Sequence, residues 1–366
     1  MEKERTIRAH GRLSDVIPVF RKRLLTMVAF ALAVLFLGAC GAIRGEREEL
    51  GMQLRALDAR LRALESKEGQ ITEILARARS AVVYIRGTYT FVDASGRPLR
   101  HVLNEAGEPI ADAQGVPLVD LTGTGSIAVT NYCGTGFLAG KSGELLTNRH
   151  VAEPWWEDEA SAPLLLSGLR PVFLRLRAFF QERAEPIPVE VLRLHEKQDV
   201  ALIRTIGWIP TAEPLLLMPD SEPLEEGKAV ILIGYPTGIE ALLARLDTDE
   251  RATVERATKG DYYLMVEHLA RLNEVRPTIT GGYLWEILPN TLVYDARTAA
   301  GGSGGPLLDH GGRVIGVNAA YLPEFGGANY GVPIRFGHVL LASGGLEPDG
   351  PTRETPGLVG GPDRRE

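Results

Sequence analysis

Gly301-Gly302-Ser303-Gly304-Gly305-Pro306 decides how the rest of this 366-residue chain is read. Glycines on both sides of a serine permit a tight backbone turn that bulkier residues forbid. Such a turn lifts the Ser303 hydroxyl toward solvent and aims the amides of Gly301, Gly302 and Ser303 at a common point. A hydroxyl beside converging N–H donors is half of an acyl-transfer site, the donors forming an oxyanion hole. The same composition also makes an ordinary glycine-rich loop. The reading therefore depends on finding a base and a group that orients it.

Both lie upstream. Leu145-Leu146-Thr147-Asn148-Arg149-His150-Val151 reads as an apolar strand end running into a histidine, and Gln198-Asp199-Val200-Ala201-Leu202-Ile203 as an aspartate opening a second buried strand. Histidine is the side chain best suited to accept a hydroxyl proton near neutral pH. A carboxylate on its far nitrogen sets the tautomer and stabilises the imidazolium that forms. The order His150, Asp199, Ser303 is that of chymotrypsin-type enzymes, not of α/β-hydrolases or subtilisins, which argues against an esterase of the former kind.

Further segments carry a family resemblance. Cys133-Gly134-Thr135-Gly136-Phe137-Leu138 followed by Thr147-Asn148-Arg149-His150-Val151 resembles the paired signatures around the histidine of HtrA/Deg-like trypsin-fold proteases. Asp199-Val200-Ala201-Leu202, Ile233-Gly234-Tyr235-Pro236-Thr237-Gly238, Gly316-Val317-Asn318 and Tyr330-Gly331-Val332-Pro333-Ile334 are similar to later segments of the same family. Tyr294-Asp295 with Thr298 is also similar to the glutamyl endopeptidase branch. The resemblance covers about residues 74–342. It implies an all-β core of two six-stranded antiparallel β-barrels, with His150 and Asp199 from the first and Ser303 from the second. It also implies a serine endopeptidase that works through an acyl-enzyme without a cofactor or metal. A catalytically silent trypsin-fold scaffold at the membrane is the other reading.

Two departures matter. HtrA-like enzymes usually carry Asn, and trypsins Asp, where this chain has Gly302, so trypsin-type zymogen activation is not expected and the loop should be loose until substrate or a partner binds. The short stretch past the core leaves no room for the PDZ domain common in that family. By alignment, Arg297, Thr298, Asn318 and Tyr330 border the specificity pocket, with Arg297 either at its base or facing solvent. Broad cleavage of unfolded envelope proteins is expected, with acidic side chains as a second preference.

Charge and the N-terminus bound the setting. The formal charge is −7, yet residues 1–23 carry seven Lys/Arg against three acidic residues, leaving the remainder near −11. An acidic catalytic portion is poorly suited to nucleic acid. His195-Glu196-Lys197-Gln198-Asp199 nearly mimics a zinc motif but ends in Asp, so no metal is expected. Arg21-Lys22-Arg23 precedes an apolar segment at 24–43, long enough for a signal peptide or a span. It ends in Leu37-Gly38-Ala39-Cys40, which looks like a lipobox with Cys40 as the lipidated residue; an uncleaved signal anchor and a buried helix are the rivals. The first two place the catalytic portion outside the cytoplasm of a bacterium, in the periplasm or at the cell surface.

Leu50, Leu54, Leu57, Leu61 and Leu64, continuing to Ile71 and Leu75, form a heptad seam over 46–75. It reads either as a short coiled coil that makes a homo-oligomer or as one amphipathic helix lying on the protease domain. That domain is expected at 76–342, with its first strand at Ala81–Arg86, insertions at about 87–131 and 239–277, and a disordered tail at 343–366. The first insertion repeats an Asx/Gly turn closed by Pro at Asp93–Leu99, Asn104–Ile110 and Asp112–Leu118, read as hairpins. The resemblance implies a role in assembly and access for it; plain surface decoration is the alternative. The second has helical spacing at Ile239–Leu246 and Thr253–Asn273, with a stripe of Leu264, Met265, His268, Leu269 and Leu272. Trp155-Trp156 through Leu169 should line the cleft or touch lipid, and Cys133 is read as a packed thiol.

Overall fold

Residues 25–30, 32, 35, 49–62, 72–321 and 328–343 are described by a computed structural model. Residues 1–70 and 71–366 form two compact units. In the first, residues 49–62 are helical, with Leu50, Leu54, Leu57 and Leu61 each more than half exposed. Residues 1–23, most of 24–43 including Cys40, Leu64, Ile71 and the tail beyond 343 lie outside the described residues. Among the described residues no helix is long and apolar enough to cross a membrane. Leu75 lies on a helical stretch of the second unit, residues 72–81, and packs against the barrel core, so it does not extend the exposed leucine seam.

The second unit contains two closed antiparallel barrels of six strands each. The first runs β1 (Val82–Val92), β4 (Thr130–Leu138), β5 (Glu144–Thr147), β8 (Ala201–Thr205), β7 (Ile187–Leu194) and β6 (Arg170–Phe179). The second runs β10 (Thr278–Ile287), β11 (Leu292–Tyr294), β14 (Asn329–Pro333), β13 (Val314–Tyr321), β12 (Pro306–Leu308) and β9 (Ala229–Gly234). Closure leaves no unpaired sheet edge in either barrel. In β7, Ile187, Val189 and Val191 alternate inward with less buried partners, the period of a one-sided strand. β1 is buried along its whole length, because its outer face is covered as well. Tyr84 there packs on Phe179 of β6 and on Tyr235, just past β9, so the barrels share an aromatic contact.

β1 extends beyond the expected Arg86. A register shift between Thr88 and Tyr89 lets it keep pairing with β6 as far as Val92 opposite Arg170. The first insertion therefore occupies the span from Asp93 to Val129 and is built on its repeated turn. Asp93, Asn104 and Asp112 each accept two downstream amides on one side-chain oxygen, at 2.8 to 2.9 Å. Val102, Ile110 and Leu118 then close a ring of backbone hydrogen bonds, Val102 to Leu118, Leu118 to Ile110 and Ile110 to Val102, at 2.8 to 3.0 Å. Three short legs meet at that ring; one is the pair β2 (Arg100–His101) and β3 (Val119–Asp120). The same turn recurs at Asp309, joining β12 to β13.

The second insertion forms three helices, Ile239–Leu243, Thr248–Thr258 and Tyr262–Arg271. Asp247 and Glu250 build a reciprocal cap at the start of the second. The buried face of the third is Tyr263, Met265, Val266, Leu269 and Ala270, whereas Leu264 and Leu272 are about half exposed, 46% and 49%. The expected stripe is thus rotated by about one residue, and His268 sits at its half-buried border. Trp155 packs against Tyr89 and Phe173 of the first barrel.

Candidate active site

Strand pairing brings two of the expected residues together. β5 and β8 are antiparallel with Thr147 opposite Ala201, so the residues just after one strand meet those just before the other. His150 Nδ1 lies 2.7 Å from Asp199 Oδ2, and the His150 backbone N–H donates to Asp199 Oδ1 at 3.0 Å. Both carboxylate oxygens are thus committed to one residue. The fully buried Asn148 secures the carboxylate's own backbone, donating through Nδ2 to the Asp199 carbonyl at 2.7 Å. His195 terminates the turn before Asp199: its Nδ1 accepts the amides of Lys197 and Gln198 at 3.2 and 3.1 Å. Arg149 donates to the carbonyls of His195 and Glu196 at 3.0 and 3.2 Å, which ties that turn to the histidine helix Arg149–Ala152.

Ser303 arrives from the second barrel and is held against β4 of the first. The Thr135 amide donates to the Ser303 carbonyl at 2.7 Å, while its Oγ1 donates to the Gly301 carbonyl at 2.7 Å and accepts the Tyr235 amide at 3.1 Å. The neighbouring Gly134 lies against Val151, the residue after His150. Adjacent positions of β4 therefore contact both the histidine and the serine segments. A Cβ at Gly304, where φ is +88°, would stand 1.9 Å from the Thr135 carbonyl oxygen, so only glycine fits. The Ser303 hydroxyl donates to the Ala319 carbonyl at 3.1 Å rather than to the imidazole.

The three expected oxyanion donors separate. The Gly302 amide donates within its loop, to the Ala299 carbonyl at 2.9 Å. The amides of Gly301 and Ser303 have no acceptor among the described residues. Gly302 is not loose. The buried Asn318 donates to its carbonyl at 2.8 Å and to Thr298 Oγ1 at 3.4 Å. Asn318 Oδ1 in turn accepts from the Tyr294 hydroxyl, whose burial raises its pKa and keeps it a donor. A Cβ at Gly302 would meet Thr298 Oγ1 at 2.2 Å, so the absent side chain is replaced by a hydrogen-bonded clamp.

Of the other expected residues, Arg297 is exposed, and its carbonyl accepts from Thr280 Oγ1 at 2.8 Å; Tyr330 is half-buried in β14. Cys133 is a free, half-buried thiol, whose Sγ lies 2.7 Å and 3.4 Å from where Cβ atoms on Gly238 and Gly301 would stand. Asn148, Thr135, Tyr294 and the turn role of His195 were not anticipated. Each of the four sits inside a segment that the sequence had already singled out, but nothing there marked the role it takes.

A model of the trypsin-like peptidase domain matches residues 134–317, which include all three residues of the expected triad. The magnetosome formation protease MamE of Paramagnetospirillum magneticum is 25% identical over 257 residues, covering 69% of this chain and 29% of that protein. A probable periplasmic serine endoprotease, DegP-like, of Chlamydia pneumoniae is 29% identical over 194 residues, 53% of this chain and 30% of that protein. The chain thus spans less than a third of the length of these two relatives. Among solved structures, the active form of the Rv3671c protease from M. tuberculosis aligns with a TM-score of 0.43 at 16% identity, covering 77% of this chain and 88% of that one.

Proposed function

Because this chain belongs to the trypsin-like peptidase family and is an HtrA-like serine protease, we propose that it is an endopeptidase using Ser303, His150 and Asp199. The observation that carries the assignment of roles is the two-point clamp of Asp199 on the His150 ring and backbone. A carboxylate on Nδ1 holds that nitrogen as the donor and leaves Nε2 as the base. Ser303 turns from the Ala319 carbonyl to Nε2 and gives up its proton as its oxygen attacks the peptide carbonyl. The amides of Gly301 and Ser303 receive the developing oxyanion, each such donor lowering the barrier by roughly 3–4 kcal/mol. The imidazolium then protonates the leaving amine, and water hydrolyses the acyl-enzyme by the reverse sequence.

The two relatives named above include one called periplasmic, which supports action outside the cytoplasm on envelope proteins. Tethering through 24–43, by lipidation of Cys40 or by an uncleaved anchor, rests on the sequence alone. Broad cleavage is favoured over a preference for acidic side chains. Both Asn318 Nδ2 hydrogens are already used, and Arg297 is exposed.

Labelling with a fluorophosphonate probe tests the assignment. The native chain is expected to label and Ser303→Ala to lose both labelling and casein cleavage. Undiminished labelling of Ser303→Ala would exclude Ser303 as nucleophile, and an unlabelled native chain would favour a silent scaffold.

A further inference from the structure

Away from the serine, a cavity of about 430 Å³ lies between β1, β4 and β6 of the first barrel and the start of the helix Tyr262–Arg271. Its wall is unusually rich in hydrogen-bond donors for an acidic protein. Arg86 projects from β1 and is only 6% exposed, yet its Nε has no hydrogen-bond partner. Arg175 comes from β6, where it faces Thr88 across the sheet, and stacks its guanidinium 4.6 Å over the Tyr263 ring. Among the described residues neither arginine is paired with a carboxylate, and the acidic side chain on the cavity wall is Asp261. Asn131 from β4 accepts on Oδ1 from Thr88 at 2.7 Å, which leaves its Nδ2 as a further donor on the wall.

Acceptors are scarce. Asp261 Oδ1 is spent capping the helix, accepting the amides of Tyr263 and Leu264 at 2.8 and 3.1 Å. A buried guanidinium without a counter-charge is costly, because burial removes its hydration and a neutral neighbour such as the Tyr84 hydroxyl replaces only part of it. The buried Arg86 and the half-buried Arg175 converge on one cavity beside an uncommitted amide donor and form a receptor for negative charge.

We propose that this cavity binds a small oxyanion, a carboxylate or a phosphate, between Arg86 and Arg175 with Asn131 as an additional donor. The planar guanidinium of Arg175, fixed by its stack on Tyr263, is preorganised for a two-point contact with two oxygens of one group. The anion sits toward the β1–β6 wall and away from Asp261, whose charge would repel it. It supplies the missing acceptor of Arg86 and joins the barrel to the helical insertion.

Titration calorimetry of the full chain decides the matter, using sodium phosphate and, separately, sodium succinate, at an ionic strength held constant with chloride. Saturable one-site binding of at least one anion is expected, and the stronger of the two identifies the ligand class. Binding should weaken about tenfold or more in Arg175→Gln and in Arg86→Met, the loss typical of a charge-assisted hydrogen bond. It should be unchanged in Arg204→Gln, whose guanidinium lies on the surface paired with Glu190. In anion-free buffer Arg86→Met is expected to melt no lower than the native chain, because the substitution removes an uncompensated charge. Absence of saturable binding of either anion, or native-like binding by Arg175→Gln, overturns the proposal. Should Arg86→Met fail to fold, the Arg175→Gln titration alone decides.

Discussion

At position 302 a single methyl group is enough to disturb the serine loop. Thr298 Oγ1 occupies the space a Cβ would need, and Asn318 holds the loop through the Gly302 carbonyl. Asn318→Ala should leave the Tyr294 hydroxyl without its buried partner and the Gly302 carbonyl with the Gly305 amide alone, at a cost of about 1–3 kcal/mol in urea unfolding. Turnover should fall with little change in KM if the loop carries the oxyanion donors; a rise in KM alone would instead mark Asn318 as a lining residue of the pocket. Gly302→Ala should be destabilising, and adding Thr298→Ala should restore part of the loss in a double-mutant cycle, because the two groups compete for one space. Strict additivity would contradict that packing. Glycine's freedom alone implied a loose loop, but Tyr294 and Asn318, far apart in sequence, meet across the second barrel and tie Gly302 down.

His195 offers a pH test at the same scale. Burial holds its imidazole below the usual histidine range, with Glu196 opposing and the Arg149 charge adding to the shift. Its Nδ1 accepts two amides, which requires that nitrogen to be unprotonated. The unfolded chain therefore takes up a proton at a higher pH than the folded one. The stability His195 contributes is complete above about pH 6.5 and is lost as the pH falls below it. Urea midpoints at pH 7.5 and 5.5 should converge in His195→Gln relative to the native chain; an unchanged difference would show that His195 does not carry this dependence.

Among the elements, the helix Tyr262–Arg271 separates what periodicity can and cannot specify. Its helical character followed from the spacing of apolar residues, but its orientation did not, because Leu264, Met265 and Val266 leave two adjacent stripes nearly equivalent. Packing chose the face with Val266 and Leu269, both fully buried. Leu269→Ala should cost about 2–4 kcal/mol in denaturant unfolding, and Leu264→Ala about 0.5 kcal/mol or less. Equal costs would restore the originally expected stripe. The insertion after β1 was more legible. Each Asx turn is specified within five residues by its own side-chain-to-backbone hydrogen bonds, whereas the ring joining Val102, Ile110 and Leu118 is a tertiary feature no single turn encodes.

For the whole molecule, the leucine seam of residues 49–62 is an apolar stripe left uncovered in the first unit, with Leu50, Leu54, Leu57 and Leu61 exposed. A seam of this kind is buried by a second copy in a coiled coil. Sedimentation of the full chain should show an oligomer that Leu54→Lys combined with Leu61→Lys converts to monomer, while probe labelling of Ser303 persists. A native chain that sediments as a monomer would remove that role from the helix.

The amino-acid sequence by itself determined the strands, the turns and the order in which His150, Asp199 and Ser303 enter the chain, since each rests on residues within a few positions of one another. Only the tertiary structure decided which amides around Ser303 stay free, what holds Gly302, and that Arg86 and Arg175 line one cavity. The reason is physical. Local patterns set what a segment can form, but register and barrel closure set which distant polar groups are buried together, and buried polar groups must find partners wherever closure places them.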